Sequence, residues 1–270
     1  MGNIYWYAGD YATAEVCQTQ KLQITLELGD RIETSRSASM IGLIYLDQGA
    51  LNDAERFIDR AIALARALDA PSDLADFLFN KANLLNAQEN PEEALAVLQE
   101  TIRLAASVDN TTTQFEAQIT SIRTQVQLER IDTHTAIQRL EALLETSHDD
   151  HDHDDHDGHP EEEHHEHDND EQVASISYEI WKLDPAREAG RQRAADLYRQ
   201  LYQNTPSHEF RSCYAELTGA RRPGRPDPPP LPPLPEIVTQ KPVNPDTLLI
   251  QIDALIQEAK ADTHQHHNHH

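Results

Sequence analysis

The sequence of 270 residues carries 22 Lys and Arg against 47 Asp and Glu, which gives a formal net charge of −25 at pH 7. A charge this negative excludes a phosphate-binding nucleic-acid protein, which needs a basic surface, and it disfavours docking on anionic lipid. The 2 cysteines make no disulfide framework, which favours the cytoplasm. No apolar run approaches the ~20 residues that span a bilayer.

Residues 1–146 contain an internal repeat of helical pairs. Ala14, Ala54 and Ala94 follow one another at intervals of 40 residues in similar surroundings, and a weaker fourth copy places Ala136 after an interval of 42. Each copy reads as a helix, a short break and a second amphipathic helix, with apolar residues at i, i+3, i+4 and i+7. No segment alternates with the period of two that a half-buried strand requires. The predicted fold class is therefore all-α, a helix-turn-helix repeat solenoid.

Two pairs of motifs recur at the repeat interval: Gly2–Tyr5 with Gly9–Ala14, and Gly42–Tyr45 with Gly49–Ala54. They resemble tetratricopeptide repeats, and the 40-residue period resembles the longer variety found beside the ATPase and cyclase modules of bacterial signalling proteins. The resemblance implies that helical pairs stack, because one repeat cannot bury its own apolar face. Met1 falls in the middle of a first helix, a start typical of a C-terminal fragment of such a larger ATPase- or cyclase-type regulator.

The resemblance also implies a concave groove, lined by the first helix of each pair, in which partner peptides lie. Asn3 and Asn83 match an asparagine that peptide-clamping members use, whereas Ser39 and Phe79 stand where a carboxylate clamp has Lys and Arg, so an acidic C-terminal peptide is not the expected partner. Alternatively, the amides are solvated helix residues, and Trp6 and Phe79 belong to the core. The predicted groove residues are Asn3, Trp6, Tyr7, Arg36, Ser39, Leu43, Asp76, Phe79, Asn83, Asn86, Gln118 and Gln125.

Residues 147–172 are predicted to form a disordered, acidic, His-rich insertion. Between Ser147 and Glu171 there are 13 acidic residues and 8 His but neither Lys nor Arg, so the other 245 residues carry only −12. A segment this polar buries too little to offset the entropy of ordering it.

The same insertion is the candidate metal-binding segment. Imidazole suits zinc, nickel and copper, and carboxylates compensate the charge of the ion. Because ordering a flexible loop lowers affinity, weak binding at several sites is expected rather than one defined site. Inert solvating filler is the alternative. The candidate ligands are His148, His151, His153, His156, His159, His164, His165 and His167.

Four segments complete the chain. Residues 173–220 are predicted to form a degenerate repeat followed by a capping helix. Residues 221–244 form a Pro-rich linker, since 10 of the 15 prolines lie between Arg221 and Pro245, and polyproline II is expected there. Residues 245–262 are predicted to form a short amphipathic helix that either docks on the solenoid or serves as a partner-binding peptide. The His-rich tail, residues 263–270, is either a natural terminus or an affinity tag.

The function predicted from the sequence is binding rather than catalysis. The chain contains no phosphate-binding glycine loop, no dinucleotide-binding glycine motif, no nucleophile elbow and no C-x-x-C pair. We expect a non-enzymatic protein–protein interaction scaffold in a bacterial signalling or regulatory system, with a protein or peptide partner and no required cofactor. The alternative from a different class is a zinc- or nickel-binding or buffering protein that uses the His-rich segments.

Overall fold

A computed structural model describes residues 2–149, 162–220 and 244–267, with side chains for residues 2–145, 170–220 and 244–262. Across these ranges the chain is a succession of helices without strands, as the sequence predicts. The helices are α1 Gly2–Tyr7, α2 Tyr11–Leu28, α3 Arg31–Asp47, α4 Leu51–Ala67, α5 Pro71–Ala87, α6 Pro91–Ser107, α7 Thr111–Gln127, α8 Thr133–Asp149, α9 Glu162–Leu183, α10 Glu188–Asn204, α11 His208–Thr218 and α12 Pro245–His267.

The helices from α3 to α7 follow a regular plan. Each has 17 residues, and three residues separate each of these helices from the next one up to α7. One residue of each break has a positive φ, which reverses the chain direction at low cost when that residue is Gly. The early breaks use glycine and the later ones Asp or Glu: Gly9, Gly29, Gly49, Asp69, Glu89, Asp109 and Glu129.

Local capping explains where the helices begin. The side chains of Asp10 and Asp30 accept hydrogen bonds from the backbone N–H of Thr13 and Glu33 at 3.1 and 3.0 Å, which satisfies donors that the first turn leaves free. At α5 and α6, Pro71 and Pro91 occupy the first helical position instead, where the absent N–H costs nothing.

Small residues set the distance between paired helices. Ala54 and Ala94 are fully buried, in agreement with their recurrence at the repeat interval. At Gly42 a Cβ atom would lie 2.5 Å from Ile58 Cγ1 and 3.3 Å from the Ala54 carbonyl oxygen. The backbone of α3 therefore approaches α4 so closely that only glycine fits at this position.

A salt bridge links the neighbouring helices α4 and α5. Lys81 of α5 donates to Glu55 and Asp59 of α4 at 2.9 and 2.8 Å. Burial alone would lower the pKa of the Lys81 ammonium, but its bonds to the two carboxylates raise that pKa above its usual value. The charge of Lys81, which lies between neighbouring helices, is thus neutralised by the facing helix.

The described chain divides into two compact units. The first contains α1 through Trp6, α2 to α6, α7 through Thr124, and α12, whereas the second contains α8 to α11 with Tyr7–Gly9. The core of the first unit is centred on Phe57, Ile58 and Leu64. The second unit packs aromatic residues of α9, α10 and α11, with the rings of Tyr198 and Phe210 6.0 Å apart.

The predicted boundaries of the His-rich insertion and of the last helix differ from the observed helices. α8 continues through Asp149, α9 begins at Glu162 rather than near residue 173, and α12 continues to His267 rather than to residue 262. Acidic residues at the start of α9 favour the positive end of a helix dipole, and Glu has high helix propensity. Residues 150–161 lie outside the described residues, so disorder there stays a prediction.

Candidate partner-binding surfaces

Polar side chains join the first helices of successive pairs, α3, α5 and α7. The amide of Asn80 donates to Ser39 Oγ at 3.0 Å, and that of Asn86 donates to Thr124 Oγ1 at 3.2 Å. Asp76 accepts from the Thr113 hydroxyl at 2.5 Å. Hydrogen bonds to neighbouring repeats therefore involve three of the predicted groove residues, Ser39, Asp76 and Asn86. These bonds hold the repeats in register and leave fewer donors and acceptors for a partner.

Arg36 is neutralised within the repeat array. Its guanidinium donates to both Asp73 carboxylate oxygens at 2.7 and 3.2 Å, and to Glu33 at 2.8 Å. The bond to Asp73 is the main cause that holds the Arg36 pKa above its ordinary value. A partner therefore meets a compensated ion-pair network at this point rather than a free cation.

The predicted residues of α1 have contacts of their own. Trp6 Nε1 donates to an Asp47 carboxylate oxygen at 2.6 Å, and Asn3 accepts from the Gln18 amide at 2.8 Å. Tyr7 is half exposed and belongs to the second compact unit. The three residues predicted as one part of the groove are thus divided between the two units.

The residues of α7 that occupy the repeat positions of Asp76 and Asn83 differ by two positions from those predicted to line the groove. The repeat interval from α5 to α7 is 40 residues, and the two extra residues lie in the longer break between α7 and α8. The counterparts of Asp76 and Asn83 are therefore Glu116 and Arg123, both exposed, rather than Gln118 and Gln125. Gln125 instead accepts a hydrogen bond from Arg139 at 3.0 Å.

A small set of predicted groove residues remains accessible on α3 and α5. Leu43, Phe79 and Asn83 are each partly exposed. Phe79 packs against a cluster of Ala82, Leu98 and Ala117, so one side of its ring belongs to the core. Within the described part of the chain, the Asn83 side chain has no hydrogen-bond partner and keeps both donor and acceptor available.

The last helix forms a second surface, which the sequence left open. Of the two predicted roles for residues 245–262, docking on the repeats is the observed one, because α12 packs mainly against α4 and to a lesser extent against α2. Its buried face consists of Leu248, Leu249, Ile252, Ile256 and Ala259.

Three arginines of the repeats face acidic residues of α12. Arg56 and Arg60 of α4 pair with Asp246 and Asp253 at 2.5 and 2.8 Å. Arg31 of α3 lies 2.7 Å from Asp262 and 3.6 Å from Glu258. These arginines were absent from the predicted site. The sequence contains basic residues on α3 and α4 and an acidic amphipathic helix near its end. Their pairing cannot be predicted from the sequence unless it is known that α12 docks on these helices.

The described side chains provide no metal site. They contain no group of three or more His, Cys, Asp or Glu placed to hold an ion. His151, His153, His156 and His159 lie outside the described residues, and the side chains of His148, His164, His165 and His167 lie outside the described side chains. Zinc or nickel binding by these residues stays a prediction.

Neither cysteine has the environment of a nucleophile. Cys17 and Cys213 are free thiols, and burial raises the pKa of both, that of Cys213 to about 11. A raised pKa keeps the thiol protonated near neutral pH, and the thiolate is the reactive form.

None of the helices in the described ranges is long and apolar enough to cross a membrane.

Comparison with known proteins matches residues 1–67 to the family model described as Tetratricopeptide repeat. No curated protein matches the chain. Among solved structures, BtubC (BKLC) from P. vanneervenii is 12% identical, with a TM-score of 0.49 over 95% of this chain and 92% of that one. Nearly identical TPR-like repeats from Podosopora anserina are 15% identical, with a TM-score of 0.39 over 68% of this chain and 94% of that one. At identities of 12% and 15%, nothing about the binding partners of those proteins can be carried over to this chain.

The family match covers the helices from α1 to α4. The same arrangement, a pair of 17-residue helices with a three-residue break, continues in α5 and α6. Residues 1–67 thus match the tetratricopeptide repeat family, and the same helical arrangement continues beyond the matched residues.

Proposed function

We propose that this protein is a non-enzymatic scaffold that binds an extended peptide segment of a protein partner across α3 and α5. Tetratricopeptide repeats generally bind protein partners, and the first helices of the pairs carry the side chains that the resemblance assigns to the groove. The proposed biological setting is a bacterial signalling or regulatory system, which is what the 40-residue repeat length implies.

The observation that carries the proposal is the state of Asn83 and its neighbours. Asn83 is half-buried, yet its amide has no partner among the described residues, and a partly buried amide gains from pairing with a ligand. A peptide backbone offers the complementary C=O and N–H groups. Phe79 lies one turn away from Asn83 on the same helix. Leu43 holds on α3 the position that Asn83 holds on α5, 40 residues later. Both offer apolar contact beside the amide.

The electrostatics of this surface favour a partner without a dense negative charge. Arg36 is already paired with Asp73 and Glu33, and Asp76 and Glu116 lie at equivalent positions on α5 and α7. We expect a peptide that is recognised through backbone hydrogen bonds and apolar side chains rather than through a terminal carboxylate.

The proposal is tested by selecting peptides from a displayed random library against the full chain and measuring their affinity for variants. Asn83→Ala should weaken binding about tenfold, since one hydrogen bond with a half-buried amide amounts to about 1.4 kcal/mol. Leu43→Asp should abolish binding. Gln99→Ala, an exposed amide on the second helix α6, is the matched control and should change affinity less than twofold.

Two results would contradict the proposal. Either the library yields no peptide that binds the folded chain, or the selected peptides bind Asn83→Ala and Leu43→Asp as tightly as the original protein. Circular dichroism of each variant confirms that lost binding is not lost helix.

A further inference from the structure

α12 lies on the second helices of the repeat pairs, away from the residues proposed to bind a peptide. Its apolar residues recur at positions 248, 249, 252, 256 and 259, the spacing of one helical face, and all are buried. They join the same core cluster as Phe57, Ile62 and Ala65. The outer face of α4 is therefore an apolar surface that takes an amphipathic helix.

Charge fixes how that helix lies. Acidic residues of α12 meet arginines at both ends and in the middle: Asp246 with Arg56, Asp253 with Arg60, and Asp262 with Arg31. Asp246 and Asp262 are 16 residues apart, about 24 Å along a helix. The three arginines thus pair with acidic residues along α12 from Asp246 to Asp262. Their order fixes the direction in which α12 runs across α4.

The charges around this contact are otherwise acidic or already paired. Asp53 also pairs with Arg56, Glu258 lies 3.6 Å from Arg31, and Glu27 is exposed on α2. Lys260 is the one basic residue of α12 within its described side chains. Against a chain with a net charge of −25, three arginines on one apolar face form a distinct basic surface.

These ion pairs are suited to recognition more than to stability. The acidic partners are between 50% and 67% exposed, and exposed pairs contribute little net free energy because water screens them. Complementary charges nevertheless select partners and fix register.

α12 is held mainly by α4 and much less by α2. A cleft of about 440 Å³ separates it from α2, lined by Leu26, Glu27, Leu255 and Gln251 among others. In sequence, α12 follows α11 only after residues 219–244, so its connection to the repeats is long. A connection of this length does not force α12 onto α4, so the contacts of α12 with the repeats are what hold it there.

We infer that the outer face of α2 and α4 is a second docking site, which recognises an acidic amphipathic helix of a partner protein, and that α12 occupies this site in cis. The partner's helix carries acidic residues at the spacing of Asp246, Asp253 and Asp262, beside an apolar face. This inference is independent of the proposed peptide groove, because the docking surface lies on α2 and α4 and shares with α3 only Arg31, the first residue of that helix.

The test uses the full chain and a fluorescent peptide of residues 244–262 as the probe. In the released variant, Asp246→Arg with Asp253→Arg, repulsion from Arg56 and Arg60 weakens the docking of α12, and the added peptide should displace it from this surface. The original chain should bind the peptide at least about tenfold more weakly, because the tethered α12 competes at a high effective concentration. A peptide with both Asp→Arg changes should not bind the released variant.

Charge exchange provides the matched control. The chain with Arg56→Glu and Arg60→Glu repels its own α12 and should bind the peptide carrying Asp246→Arg and Asp253→Arg, but not the original peptide. Circular dichroism and thermal melting show whether each variant keeps its helices. If the released variant loses them, Ile252→Ala weakens α12 without reversing charge, and it should also bind the peptide more tightly than the original chain.

Two outcomes would overturn the inference. One is equal affinity of the peptide for the original chain and for a folded variant with α12 released. The other is a dimer of the original chain in gel filtration that the Asp→Arg changes dissociate, because the occupant would then be α12 of a second copy rather than a partner protein.

Discussion

Residues with positive φ recur every 20 positions from Gly9 to Glu129, and this regularity shows where the later repeats depart from the ideal. Gly9, Gly29 and Gly49 adopt the left-handed conformation without strain, but Glu89 has a φ of 60°. For a residue with a Cβ, that conformation costs about 1–2 kcal/mol. The later breaks therefore hold a small amount of strain that the packing of α5 and α6 offsets.

Glu89→Gly should raise the free energy of unfolding by about 0.5–1 kcal/mol, the relief of that strain less the extra freedom of glycine in the unfolded chain. Glu89 is exposed, so the substitution removes no buried contact. Urea unfolding followed by circular dichroism measures the change. Ala96→Gly, at an exposed position inside α6, is the control and should lower stability by about 1 kcal/mol. A loss of stability in Glu89→Gly would contradict the account of strain.

The position of the two extra residues in the last repeat interval decides which residues of α7 correspond to the groove residues of α5. The sequence contains the extra two residues between Ala94 and Ala136, but it does not state in which break they fall. Asp109 and Glu129, each with a φ of 53°, stand 20 residues apart and mark α7 as regular. Spacing of acidic residues at the breaks was therefore the available signal for placing Arg123, rather than Gln125, at the position of Asn83.

At the scale of elements, the contact between α3 and α4 depends on a backbone approach that permits no side chain at Gly42. Ile41, Ile44 and Phe57 are almost completely buried around it, so neighbouring groups have little room to move. Close packing of this kind makes added volume costly even when helix propensity would favour it.

Gly42→Ala should lower the free energy of unfolding by about 1–3 kcal/mol, because the new methyl group would overlap Ile58 Cγ1. Denaturant unfolding measures the loss. Gly190→Ala is the control, since a Cβ at Gly190 of α10 meets nothing within 4 Å, and it should gain about 0.5–1 kcal/mol from helix propensity. Equal gains at both positions would contradict the proposed close approach.

At the scale of the whole molecule, the charge of −25 does not describe the repeats. More than half of it belongs to the acidic run between Ser147 and Glu171, and the basic surface formed by Arg31, Arg56 and Arg60 is occupied by α12. The net charge underlies the prediction that nucleic acid is not the partner, but it does not predict which local surface a partner meets.

Calorimetric titration with zinc or nickel should show at most weak binding at several sites, because the sequence predicts a disordered ligand set, and ordering such a set has an entropic cost. Replacing the eight His between residues 148 and 167 by Ser should remove this weak signal and leave the melting temperature of the repeats unchanged. Sub-micromolar affinity that disappears in the Ser variant would instead support the metal-binding function.

The sequence by itself determined the helical repeat. The recurrence of Ala14, Ala54 and Ala94 and the amphipathic period specify paired helices, because a 3.6-residue apolar pattern has to be buried against a neighbour. Capping residues such as Asp10 and Asp30 and prolines such as Pro71 and Pro91 mark where helices begin, since these preferences are local.

Only the tertiary structure decided which surfaces are available. Among the described residues, Asn83 has no hydrogen-bond partner whereas Asn86 bonds to Thr124. The docking of α12 on α4 joins residues about 190 positions apart in the sequence, such as Arg56 and Asp246. Contacts of this kind depend on how separate helices are arranged in space, and a local pattern carries no information about that arrangement. The helical repeat follows from the periodicity of the sequence, whereas the available surfaces depend on packing between residues far apart in the chain.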